Sequence, residues 1–171
     1  VSFNSVNGGS FALTACKEES RHKPDDVLLR WFGRQERHWA LDTPEPFRAF
    51  ERDVYAHRED LKSLVSALVD SGKSVMGLGA STKGNVLLQL CGFGPEQISC
   101  VGEVNEDKFG RVTPGTRIPI LPDTEIVAQE PDYLLVLPWH FREGIIRKEE
   151  SYMNSGGKLI FPLPEIEIVG L

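Results

Sequence analysis

The residue types and spacings best able to do chemistry gather in one stretch, Gly77-Leu78-Gly79-Ala80-Ser81-Thr82-Lys83-Gly84-Asn85. Glycines let backbone amides approach an anion, and a helix that starts at such a turn aims its positive end at the same place. Ser81 and Thr82 add hydroxyl donors, Lys83 adds a cation, and Gly84 and Asn85 complete the first helical turn. The chemistry expected here is phosphate binding. Neither standard phosphate loop is present, however. A G-x-G-x-x-G fingerprint starting at Gly77 needs glycine where Thr82 stands, and a P-loop needs Gly-Lys-Ser/Thr where the order is Lys83-Gly84-Asn85. The plain alternative is that the glycines only make a tight turn.

Two further segments compete for a role. Asn105-Glu106-Asp107-Lys108-Phe109-Gly110-Arg111, followed by Thr113-Pro114-Gly115-Thr116, is rich in turn formers and in groups that bind a ribose or a base. A connecting loop has the same composition. Pro138-Trp139-His140-Phe141 follows an apolar run, and His140 is a candidate hydrogen-bond donor or acid-base group, or simply a helix-start residue. Glu103 stands where a ribose-binding acid would, as many strand-end acids do. His22, His38 and His57 lie in a charged region and read as surface residues. Devices such as G-x-S-x-G, paired histidines at i,i+4, or a cysteine with an evident base are absent from the sequence.

The elements that must position these residues follow from periodicity. Asn7-Gly8-Gly9-Ser10 signals a turn, and Phe11–Cys16 a short strand. Val27, Leu28, Trp31 and Phe32 have helical spacing over 25–32. A longer helix is expected from an N-cap at Thr43, with Pro44 in its first turn, to Ser71-Gly72. Its apolar face runs through Phe47, Phe50, Val54, Leu61, Leu64, Val65 and Leu68. From Ser74 the pattern alternates: strands at 74–79, 98–104, 119–121, 133–137 and 158–162, with helices at 83–91 and 141–153. Nearly continuous apolar strands separated by helices predict a parallel sheet covered on both faces. The expected fold is α/β, a Rossmann-like doubly wound, mainly parallel sheet with a helical N-terminal segment. Residues 1–73 form a strand and helical segment packing on the core and 74–171 the Rossmann-like core, together one domain, with ligands at the carboxyl ends of the strands.

Composition narrows the partners. The 171 residues carry 19 Lys+Arg and 25 Asp+Glu, a net charge of −6, which disfavours a nucleic-acid or anionic membrane partner. Residues 17–60 hold 20 of those charged side chains, read as solvated helix faces. No apolar run reaches the ~20 residues of a bilayer span. Cys16, Cys91 and Cys100 are scattered and odd in number, which suits a reducing cytoplasm and disfavours a zinc site or disulfide scaffold. Because the chain starts with Val1 rather than Met, its amino terminus reads as an excision point.

Several segments, taken together and in order, resemble one family. They are Asn7-Gly8-Gly9-Ser10; Gly79 to Asn85; Asn105, Lys108, Gly110 and Arg111 with Thr113-Pro114-Gly115-Thr116 and Ile118-Pro119-Ile120; Pro131-Asp132-Tyr133; Leu137-Pro138-Trp139; and Gly156-Gly157-Lys158. The set resembles the carboxy-terminal domain of bacterial S-adenosylmethionine-dependent sugar C-methyltransferases, from about Val6 to Pro164. Those enzymes act on nucleotide-linked deoxyketosugars in deoxysugar and antibiotic pathways. The resemblance implies a zinc-binding amino-terminal module, a middle domain that binds S-adenosylmethionine, and this domain closing over the nucleotide sugar. It implies substrate contacts from Ser81, Thr82, Lys83, Gly84, Asn85, Asn105, Lys108, Trp139 and His140, with no catalytic or metal-binding residue in the chain. Where the family commonly has Asn after the Pro/Ala-Trp pair, this chain has His140.

The partners so implied are a nucleotide-sugar and the missing S-adenosylmethionine-binding domain of the same polypeptide, which would hold that cofactor. Methylating carbon beside a ketone needs an enolate, stabilisation of its oxygen and a nearby sulfonium. A domain that anchors the diphosphate supplies remote binding energy to that step, so these residues alone are expected to show little or no transfer. The reading from another class is a free-standing nucleotide-binding or scaffold module without catalysis.

Overall fold

Gly8 and Gly9, both with positive φ, turn the chain so that β1 (Ser2–Asn4) and β2 (Ser10–Ala12) pair antiparallel, Phe3 opposite Phe11. The computed structural model describes residues 1–170, with Asn7 described by its backbone alone, and separates into two units, Val1–Tyr55 and one from Ala56 onward. The strand expected at 11–16 ends early, at Ala12, because its partner is only three residues long.

Helix α1 (Asp26–His38) is capped by Asp25, whose carboxylate accepts the Leu28 amide at 3.0 Å. It outruns the expected 25–32, since Arg34 to Arg37 are mostly good helix formers and the turn out comes only at Ala40, with φ 49°. Helix α2 spans Glu45–Asp70. Its start corrects one expectation: the Thr43 hydroxyl donates to Ala40 O, and the Pro44 carbonyl accepts from the Arg48 amide. With the helix starting at Glu45, Pro44 rather than Thr43 stands at its N-cap position. Nor is the apolar face of α2 covered throughout. Leu61 and Val65 are fully buried, whereas Phe47 and Phe50 are 58% and 69% exposed.

The second unit is a six-stranded sheet in the order β5-β4-β3-β6-β7-β8. Strands β3 (Val75–Leu78), β4 (Val101–Glu103), β5 (Ile120–Pro122), β6 (Tyr133–Val136) and β7 (Lys158–Phe161) are mutually parallel. Only β8 (Glu167–Val169) runs antiparallel, on β7. Helices α3 (Thr82–Cys91), α4 (Asp123–Val127), α5 (Arg142–Lys148) and α6 (Glu150–Asn154) connect them. One core layer joins Leu61 and Val65 of α2 and Leu87 and Leu88 of α3 to one side of the sheet. The other gathers Ile126, Tyr152 and Met153. A mostly parallel sheet with helices over both faces is the expected Rossmann-like architecture.

The departures are local. Strand β4 is shorter than 98–104 because Glu103 Oε1 accepts the Val104 and Asn105 amides at 2.8 and 3.0 Å, turning the backbone out of the sheet. The helix expected over 141–153 is interrupted at Glu149, with ψ 17°, although the Glu149 amide still reaches Ile145 O and the Met153 amide Glu149 O. Helix α4 and strand β8, of five and three residues, are too short to register a period.

At the amino ends of β3 and β6, Asp132 accepts from Lys73 Nζ at 2.9 Å and from the Ser74 amide and hydroxyl at 2.9 and 3.0 Å. These bonds pull its carboxyl down to about 2, Lys73 contributing most. The Pro131-Asp132-Tyr133 motif is therefore a fastening at the end of the sheet away from the ligand rim.

Candidate functional site

The order in which successive strands are added to the sheet reverses between β3 and β6, where ligands settle in such folds. Gly79, with φ 81°, makes the turn out of β3; a Cβ there would lie 2.7 Å from the Pro138 ring. Its glycine thus lets Pro138 close in. Ser81 caps α3, its Oγ accepting the Gly84 amide at 3.0 Å and lying 3.4 Å from Leu137 O. A Cβ on Gly84 would stand 2.4 Å from Leu137 Cβ, so this glycine seats the start of α3 directly on the end of β6.

Lys108 ties the rim together. Its ammonium donates to Ala80 O at 3.0 Å and to Glu103 Oε2 at 2.8 Å, bridging the ends of β3 and β4. Burial alone would raise the Glu103 carboxyl, but Lys108 and the Asn105 and Val104 amides outweigh it and hold it low. Asn105 caps the turn at 106–108 by accepting the Asp107 amide at 3.0 Å.

On either side of Lys108 lies a cleft, and the two differ in charge. The first, of about 370 Å³, is lined by Thr82 and Asn85 of α3 and by Lys108, Arg111, Val112, Thr113 and Pro114. Its charged groups are both cations. The loop is held against α3 by Gln89, which donates to Pro114 O at 2.9 Å, and internally by Thr113 and Thr116, hydroxyl to hydroxyl at 2.5 Å. The Asn85 Oδ1 is buried with no hydrogen-bond donor among the described residues. An acceptor left so costs about 1–3 kcal/mol, which a donor entering the cleft would relieve.

The second cleft, of about 320 Å³, has apolar walls from Leu78, Pro138, Phe141 and Ile145. Its charged lining is Glu103, Asp123 and Glu149 against Lys108 and Lys148. Lys148 pairs with Asp123 and lies 3.3 Å from the buried Glu149. Burial alone would lower the Lys148 ammonium; the two carboxylates reverse that and raise it.

Of the nine residues proposed from sequence, Ser81, Thr82, Asn85 and Lys108 line the cationic cleft, and Ser81 and Lys108 border the acidic one too. Lys83 is exposed in the first turn of α3, and Gly84 is buried beneath it. Asn105 and Lys83 belong to neither lining. Trp139 packs against both core layers, and His140 stacks near Phe141 at 4.3 Å. Burial, and then the charge of Lys83, lower the His140 pKa, favouring neutral imidazole. Arg111 and Thr113 join the site from the turn-rich loop. Asp123, Lys148 and Glu149 were missed, since the helices that place them carried no motif.

A Rossmann-like domain with a cation-lined cleft beyond the carboxyl ends of β3 and β4 is the class that fold and site define, and the sequence comparisons narrow it. Residues 5–164 match the C-methyltransferase C-terminal domain, and the chain belongs to that family. It is similar to the C-methyltransferase NovU of Streptomyces niveus, 32% identical over 164 residues, 96% of this chain and 39% of that protein. The chain thus spans about two-fifths of the length of that relative. None of the helices among the described residues is long and apolar enough to cross a membrane.

Proposed function

We propose that this domain is the substrate-holding part of a C-methyltransferase and binds a nucleotide-linked deoxyketosugar through its diphosphate. The observation that carries the reading is the pairing of two cations, Lys108 and Arg111, with the amino end of α3 in one cleft. An anion gains from both the charges and the helix dipole. The acidic cleft repels a diphosphate and suits an uncharged ring packed on Pro138 and Phe141.

S-adenosylmethionine, in this reading, is held by a companion domain of the same polypeptide. A methyl donor bound here would call on the strand-end acid for its ribose hydroxyls. Glu103 is instead engaged by two backbone amides and Lys108, a poor fit for that role. The domain works in the cytoplasm, a placement supported by the free thiols of Cys91 and Cys100, both buried.

Calorimetric titration of the chain with thymidine diphosphate, NAD and S-adenosylmethionine tests the reading. Thymidine diphosphate is expected to bind and S-adenosylmethionine not. Tight binding of S-adenosylmethionine, or of no nucleotide at all, would overturn it.

A further inference from the structure

The unit from Val1 to Tyr55 has elements but no core: none of its described residues is buried. Helix α1 shows this most clearly. Val27 and Trp31, one turn apart on one side, are 71% and 43% exposed. Beside them run Arg30, Arg34 and Arg37, spaced so as to share a side of the helix. With Leu29 and Gly33 these arginines line a groove of about 410 Å³, in which Asp26 is the sole carboxylate. No hydrogen bond or ion pair joins the three guanidiniums to any described residue.

A 13-residue helix is marginal by itself in water, and like charges along one side weaken it further. An amphipathic face this open marks a surface that another surface covers. A second copy paired symmetrically through α1 would set one arginine stripe against another, so charge disfavours it. The family domain is the carboxy-terminal one, and the relative NovU has about three-fifths of its length outside the match. The match starts at residue 5, so α1 lies in the part of the domain that adjoins the preceding chain of such an enzyme.

We propose that the arginine and tryptophan face of α1 docks on the preceding part of a C-methyltransferase chain, against an apolar patch rimmed by carboxylates. The apolar stripe supplies the buried area, and the three arginines set orientation and register.

Hydrogen exchange read by mass spectrometry tests this on the 171-residue chain and on the polypeptide its gene encodes with the residues preceding Val1. In the longer polypeptide, amides of 26–38 are expected to exchange about tenfold more slowly or better. The combined change Arg30→Glu, Arg34→Glu and Arg37→Glu should erase that gain while β3 and β6 stay as protected as before. Equal exchange of α1 in both polypeptides would overturn the proposal. So would slowing in the 171-residue chain alone as its concentration rises, which is the signature of a second copy, or a gene that encodes no such preceding part.

Discussion

At the scale of single residues, Lys108 and Arg111 divide the labour. Lys108 is a tether with two acceptors, one of them the buried Glu103 carboxylate, while Arg111 donates one hydrogen bond, to Asp107 O at 2.6 Å, and still lines the cleft. Lys108→Met leaves Glu103 without its cation, and urea denaturation should register a loss of about 1–3 kcal/mol. Arg111→Ala should keep the fold and weaken thymidine diphosphate about tenfold in a titration, the loss of one charge-assisted hydrogen bond. Lys83→Ala, at an exposed position outside the cleft lining, is expected to act in the same direction by a smaller factor, through the loss of a nearby screened positive charge. Unchanged affinity in both folded variants would remove the diphosphate from this cleft. Of the nine residues read from sequence, Ser81 to Asn85 announce anion binding by type, Asn105 and Lys108 belong to a loop suited to a ribose or base, and Trp139 and His140 follow a buried strand. What sequence could not separate was contact from support. Gly84 and Trp139 sit within the expected motifs because chain packing needs them, and burial is a property of the partner side chains, Leu137 and both core layers, which lie far away in sequence.

Among elements, α3 carries the site and the sheet fixes α3. Gly84→Ala should push the helix off Leu137, since its Cβ would be 2.4 Å from Leu137 Cβ. Thermal denaturation should show a loss of about 1–3 kcal/mol, the usual range for overpacking, with nucleotide affinity falling as well. At the opposite end of the sheet, the Asp132 fastening sets an acid limit. Its folded carboxyl is lowered to about 2 from 3.8, so its stabilisation is complete above the unfolded value and vanishes as pH falls through it toward about 2. Urea midpoints measured between neutral pH and pH 2 should drop in that window, and Asp132→Asn should flatten that part of the curve. Strands, α3 and the doubly wound order were legible because apolar runs and glycine stops recur there. Helix α4 and strand β8 were not, because tertiary pairing rather than local pattern creates elements of three to five residues.

On the scale of the whole molecule, the two units behave oppositely. The second has two core layers and reads from sequence as a fold; the first has a strong helical pattern, yet Phe32 packs only on Phe3 and Trp31 among the ring contacts and none of its described residues is buried. Periodicity predicts the helices and puts Phe47 and Phe50 on an apolar face, but it is silent about what covers that face, and both are exposed. The chain mixed with S-adenosylmethionine and a nucleotide-linked ketosugar should give no methylated product above background by mass spectrometry, because the methyl donor is placed in a companion domain. The most direct measurement of the central claim is an amide NMR titration with thymidine diphosphate. Binding in the cationic cleft predicts that the shifted amides cluster at Thr82 to Asn85 and Arg111 to Thr113. Shifts centred on Asp123 and Lys148-Glu149, or no shifts at all, would contradict it.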